Sequence, residues 1–185
     1  IWFLFFVAIE RLGETELAVS NIIRSVSALF SVIVNALAGV TGSLVSNLIG
    51  AGEKKQVFPL CHKIIRLGYA TGIPLIAFAL FFHQHIIGAY TENPAIVQLA
   101  WPPFLVMLLN YFFALPSYVY LNAVTGTGAT RTVFIFQVIT TIAYLFCLWG
   151  LDFCDVPLVA YWAVEYLYVI LLGTQSVIYL KYKQY

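Results

Sequence analysis

Charge is what this sequence has least of. Only 9% of its 185 residues are Asp, Glu, Lys or Arg, 62% are hydrophobic, and the formal net charge is +1. A soluble domain carries about 25% charged residues, so there are too few polar side chains here to coat a water-facing globule. That excludes a soluble fold, a disordered chain and a nucleic-acid binder with a basic face. The three cysteines (Cys61, Cys147, Cys154) cannot make a disulfide framework and fit no zinc spacing, so they read as small apolar fillers. No Gly-x-Ser-x-Gly elbow or His-Glu-x-x-His helix occurs, which leaves enzyme chemistry such as intramembrane hydrolysis without support. His83 and His85, two apart on a helix, point in different directions and make a poor metal pair.

What remains, with a mean hydropathy of +0.94, is an all-α integral membrane protein. Hydrophobic runs give one partial span at 1–9 and five full spans at 20–49, 57–87, 94–122, 132–151 and 156–180. The first run lacks an initiator Met and a signal-peptide pattern, and about 20 residues are needed to cross a bilayer. It is therefore expected to be the tail of a span whose upstream part is missing, so that the fold is a six-helix transmembrane bundle with its first helix truncated. The breaks carry Gly, Pro or charge, as at Gly50-Ala51-Gly52-Glu53-Lys54-Lys55 and Thr91-Glu92-Asn93-Pro94. The longest runs exceed a bilayer's needs and predict helices that tilt or project into water.

Charge placement predicts orientation. Seven of the nine basic residues (Lys54, Lys55, Lys63, Arg66, Arg131, Lys181 and Lys183) fall on one side of the predicted threading. Lys and Arg in short loops mark the cytoplasmic side, which puts the C-terminus in the cytoplasm of a multi-pass cell-membrane protein. The opposite loops hold Glu10, Glu14, Glu16, Glu92, Asp152 and Asp155, with Arg11 their one base. Tyr69, Tyr90, Trp101, Trp149 and Trp162 fall near span ends, where aromatic anchors sit.

Arg24 and Glu165 are left inside the membrane. Such residues cost about 2.5–3.5 kcal/mol each on insertion scales and mark function or pairing. The second span carries Arg24, Ser27, Ser31, Asn35, Gly39, Gly42 and Ser46 at steps of three and four, on one side of a helix. Its small residues, Ala38, Gly42, Ser46 and Gly50, read as close helix packing, and Arg24 and Asn35 as the lining of a wet cavity. The last span repeats the pattern with Tyr161, Glu165, Tyr168, Leu172, Gln175 and Tyr179. Glu165 has two readings: an ion pair with Arg24 at similar depth, or a proton- or cation-binding group facing a cavity.

Further cavity candidates come from the other spans. Asn110 and Ser117 share a face at seven-residue spacing, and Pro116 between them frees the carbonyl of Phe112. That points to a structural kink, a hinge or a cation ligand. Gln137, Thr141 and Tyr144 share a face of the fifth span, suited to interhelical hydrogen bonds or cavity lining. Pro59 and Pro74 read as bends. Gly126-Thr127-Gly128-Ala129-Thr130-Arg131 lacks the ending of a phosphate loop and reads as a tight turn.

Three strings in order, Leu12-Gly13-Glu14-Thr15-Glu16-Leu17-Ala18-Val19-Ser20-Asn21, Leu48-Ile49-Gly50-Ala51-Gly52 and Gly126-Thr127-Gly128-Ala129-Thr130-Arg131, resemble the second half of a MATE (multidrug and toxic compound extrusion) transporter. The resemblance implies twelve helices in two six-helix lobes, with residues 1–185 as the C-terminal lobe, helices seven to twelve. It implies rocker-switch export of drugs or other amphipathic organic compounds, coupled to sodium or protons with no other cofactor. Its partners would be the bilayer, the missing N-terminal lobe and a small organic substrate. Some sodium-coupled members carry acids in helix seven, which would fall before Ile1, and in helix ten, at a place that aligns with Ala114. With that second acid absent, coupling is expected in the missing lobe or at Glu165. The predicted substrate cavity comprises Asn35, Asn110, Ser117, Gln137, Tyr144, Tyr161 and Tyr168. The alternatives are a lipid-linked saccharide flippase of the same superfamily and a non-transporting membrane subunit.

Overall fold

A computed structural model describes residues 2–151, 154 and 156–185. Ile1 and the loop acids Asp152 and Asp155 lie outside the described residues. The chain forms α1 (Trp2–Glu10), α2 (Glu14–Gly50), α3 (Val57–Phe81), α4 (His83–Gly88), α5 (Pro94–Gly126), α6 (Thr130–Leu151) and α7 (Leu158–Tyr182). A single 3-10 turn, Lys54–Gln56, precedes α3. Among the described residues, α2, α3, α5, α6 and α7 are long and apolar enough to cross a membrane. The expected spans are present, and their ends shift for local reasons.

Helix α2 starts at Glu14, ahead of the hydrophobic run, because Glu14 and Glu16 sit in its first turn where the helix dipole favours acids. Its 37 residues extend about 55 Å, well beyond a hydrocarbon core of about 30 Å. It closes in a Schellman-type turn, in which Glu53 N–H donates to the Leu48 carbonyl at 2.9 Å and Gly52 takes φ 79°. Helix α5 opens with Pro94 after Asn93, whose side chain accepts from Ala95 N–H at 3.0 Å. The expected single span at 57–87 is divided at Phe82 (φ −99°, ψ 16°), where the His83 ring meets the Leu80 carbonyl at 2.8 Å. Pro59 is no bend. It occupies the first turn of α3, where its missing N–H has no intrahelical partner to lose.

Helix α5 is the centre of the bundle. It packs most extensively against α2 and α7 and also touches α3, α4 and α6, while α1 lies against α2 and α7. The basic termini meet at one end, where Lys54 in the α2–α3 turn lies 5.8 Å from the Tyr185 ring. At the other end the Trp162 indole donates to Ser20 Oγ at 3.3 Å, and its ring lies 5.2 Å from Phe5.

Lipid does not drive helices together as water does, so close backbone approach through small residues carries much of the cohesion. The lower half of α2 is built this way. Ser46 Oγ donates to the Gly126 carbonyl at 2.9 Å, and Gly42 packs on the Asn122 backbone. Gly50, by contrast, has nothing near it.

A Cβ on Gly126 would lie 2.5 Å from the Gly42 carbonyl oxygen, and no side-chain rotation relieves a backbone clash. Gly126→Ala is therefore expected to destabilise the bundle by about 1–3 kcal/mol. Gly39→Ala, with nothing within 4 Å, should leave thermal unfolding in detergent unchanged or slightly raised.

Candidate functional site

Between α2, α5 and α7, closed above by Trp2 of α1, lies a cavity of about 320 Å³. Helix α2 contributes Ser27, Ser31 and Asn35, α5 contributes Asn110, Tyr111, Ala114 and Tyr118, and α7 contributes Trp162, Glu165 and Val169. The polar stripe on α2 thus divides lengthwise: its upper residues line the cavity and its lower ones pack on α5. Asn35 lies at the cavity and Gly42 and Ser46 at the packed part, whereas Arg24 is outside the lining and Gly50 has no neighbour.

Glu165 is partly buried and turns one oxygen to α6, where the Tyr144 hydroxyl donates to Oε1 at 2.8 Å. Tyr144 is itself fully buried, its ring edge-on to Tyr168 at 5.8 Å. Across the cavity, Asn110 Oδ1 is buried and has no hydrogen-bond partner. An acceptor in that position has a vacancy for a proton donor or a cation.

The expected ion pair between Arg24 and Glu165 is not formed. Arg24 is exposed, its guanidinium 5.1 Å from the Phe6 ring of α1, while Glu165 is held by Tyr144. The two residues sit at similar depth, but α2 and α7 are bridged by α1 and α5 with the cavity between them.

Of the predicted cavity residues, the structure brings Asn35 and Asn110 to the lining together with Glu165. Ser117 is on the opposite side of α5 against Gly173, since Pro116 lies between it and Asn110 and beyond that proline the lining residue is Tyr118. Gln137 is exposed on α6. Tyr144 and Tyr168 stand behind Glu165, and Tyr161 is buried at the top of α7. The lower α7 stripe faces α6, with Gln175 Nε2 donating to Thr140 Oγ1 at 2.9 Å. The lining residues that sequence reasoning did not single out as cavity-forming include five aromatics, Trp2, Phe30, Tyr111, Tyr118 and Trp162, beside aliphatic residues such as Val34 and Val169. The four-residue spacing of Asn110, Ala114 and Tyr118 is the sequence signal that would have found that side of α5.

The carbonyl freed by Pro116 does not face the cavity. The Tyr69 hydroxyl of α3 donates to the Phe112 oxygen at 2.7 Å, and in return the Tyr111 hydroxyl of α5 donates to the Gly68 oxygen at 2.8 Å. Gly72 leaves the room this needs, because a Cβ there would collide with the Tyr111 ring. Two adjacent pairs therefore lock α3 to α5 at the proline, and a cation-ligand role for the Phe112 carbonyl has no support.

The family described as MatE matches residues 1–149. The chain belongs to the MatE family. MatE proteins are membrane transporters, not enzymes. The matched stretch covers the cavity residues of α2 and α5, whereas Trp162, Glu165 and Val169 lie beyond it. Among curated proteins and solved structures, none matches.

The α3–α5 lock yields a direct expectation. Tyr69→Phe should cost about 0.6 kcal/mol, the average for a hydrogen bond between membrane helices. In a Pro116→Ala background the Phe112 carbonyl regains its own amide partner, and the same change should cost close to nothing. A double-mutant cycle of unfolding in detergent measures the difference.

Proposed function

We propose that this chain is the C-terminal six-helix lobe of a cation-coupled antiporter that exports amphipathic organic compounds by rocker-switch alternating access. One observation carries the reading. Among the described residues, Glu165 is the one acidic or basic side chain lining the cavity, whose walls include Trp2, Phe30, Tyr111, Tyr118 and Trp162. Such a lining suits a bulky organic cation, which gains from aromatic faces and from one carboxylate.

Glu165 is the coupling group, taking sodium or a proton in one state and releasing it as substrate binds. Ala114 supports this role, because the place where the resemblance implies an acid faces the same cavity. Glu165 supplies the carboxylate from α7 instead. Asn110 Oδ1 is the second oxygen at hand, while Tyr144 fixes the orientation of the acid. A flippase for phosphate-linked saccharides is less well served, since Arg24 lies outside the lining. The basic end belongs in the cytoplasm of a cell-membrane protein, and an N-terminal lobe completes the cavity.

In the full-length transporter, Glu165→Gln should keep normal protein level and lose at least about tenfold in the efflux of a cationic dye driven by a sodium or proton gradient. Efflux by that variant at the normal rate, with the normal gradient dependence, would remove Glu165 from coupling.

A further inference from the structure

On the opposite face of the α5–α7 pair runs a second, apolar groove of about 340 Å³. Phe113, Pro116 and Tyr120 form its α5 side, and Ile170, Thr174 and Val177 its α7 side. Both helices run from the acidic to the basic end of the bundle, so the groove descends from Phe113 and Ile170 toward Tyr120 and Val177. It spans about seven residues, or about 10 Å.

At its lower mouth the groove meets charge. The Tyr120 hydroxyl is 3.4 Å from Nε2 of His62 on α3, and Arg66, four residues on, shares that side of the helix. Lys63 adjoins them, and all three α3 residues are exposed. The one acid at this end of the bundle is Glu53.

Depth fits as well. On α3 the exposed side is apolar from Leu67 (56% exposed) through Phe78 (55%) to Phe81 (81%), and becomes basic at Arg66 and Lys63. A hydrocarbon core of about 30 Å takes about 20 helical residues. From Leu67 to the break at Phe82, α3 supplies about 22 Å of this, and Arg66 and Lys63 lie just beyond the basic-side end of that apolar stretch, at the level of lipid phosphates.

We propose that this side of the bundle holds an anionic glycerophospholipid, one acyl chain along the α5–α7 groove and its phosphate at His62, Lys63 and Arg66. The apolar groove and the basic mouth meet at Tyr120, which lines the one and contacts the other. A lipid is the ligand that has both chemistries at this separation. The site is independent of the transport cavity on the other face.

The test uses the purified full-length protein, freed of lipid in detergent and titrated with phosphatidylglycerol or phosphatidylcholine, with adducts followed by native mass spectrometry. The double variant Lys63→Gln, Arg66→Gln is expected to weaken phosphatidylglycerol binding by about tenfold, since each basic side chain adds to anionic-lipid attraction, and to leave phosphatidylcholine binding unchanged. Thr174→Trp, which fills the groove, should weaken both. If that variant does not fold, Ile178→Trp, 61% exposed at the same groove, serves the same purpose. Arg131→Gln, at the same end but on α6, which contributes no residue to the groove lining, should have no effect. Undiminished phosphatidylglycerol binding by the Lys63 and Arg66 variant would overturn the site, as would equal loss in the Arg131 control. Full binding by the groove-filled protein would mean a surface headgroup contact alone, and would overturn it too.

Discussion

Lipid offers no hydrogen bonds, so every polar group within the bundle has to be met from inside it. That constraint organises this chain. Tyrosine hydroxyls take carbonyls on neighbouring helices, from Tyr69 to Phe112, Tyr111 to Gly68 and Tyr166 to Val106. Ser46 holds Gly126, Gln175 holds Thr140, and Tyr144 holds the carboxylate of Glu165. Where the internal partners run out, at Asn110 Oδ1, the cavity begins.

The consequence is a helix bundle with two unlike sides around α5. One side is polar and aromatic, and carries a single carboxyl group, that of Glu165. The other is an apolar groove leading to a basic rim. Between them, the reciprocal tyrosine bonds to α3 stiffen α5 where Pro116 would otherwise weaken it. For the proposed alternating access by rigid halves, a stiff bundle is what is required.

The spans were legible in the sequence because few charges interrupt the runs, and a long apolar stretch has no stable alternative to a helix in lipid. The ends were less so. Glu14 and Glu16 fall out of any hydrophobic window yet favour the start of α2, and the polar stretch His83-Gln84-His85 interrupts the apolar run just after Phe82. Asn35, Asn110 and Glu165 stood out because polar residues in hydrocarbon need a reason. Which helix each would face did not follow from the chain itself. Helical spacing gives a side and depth gives a level, but only packing decides that Arg24 turns to Phe6 and Glu165 to Tyr144. The aromatic walls were hidden for another reason: Tyr111 or Trp162 serves equally well in a packed core.

The account stands on the cavity between α2, α5 and α7 being open to water in a membrane-embedded protein. The direct measurement is labelling by a water-soluble thiol reagent of single cysteines introduced into a background with Cys61, Cys147 and Cys154 replaced. Asn35→Cys, on the cavity wall, should react. Ile142→Cys, half exposed on α6 and expected to face lipid, should stay silent. A correctly inserted Asn35→Cys protein that fails to label, or labels no faster than Ile142→Cys, would contradict the account.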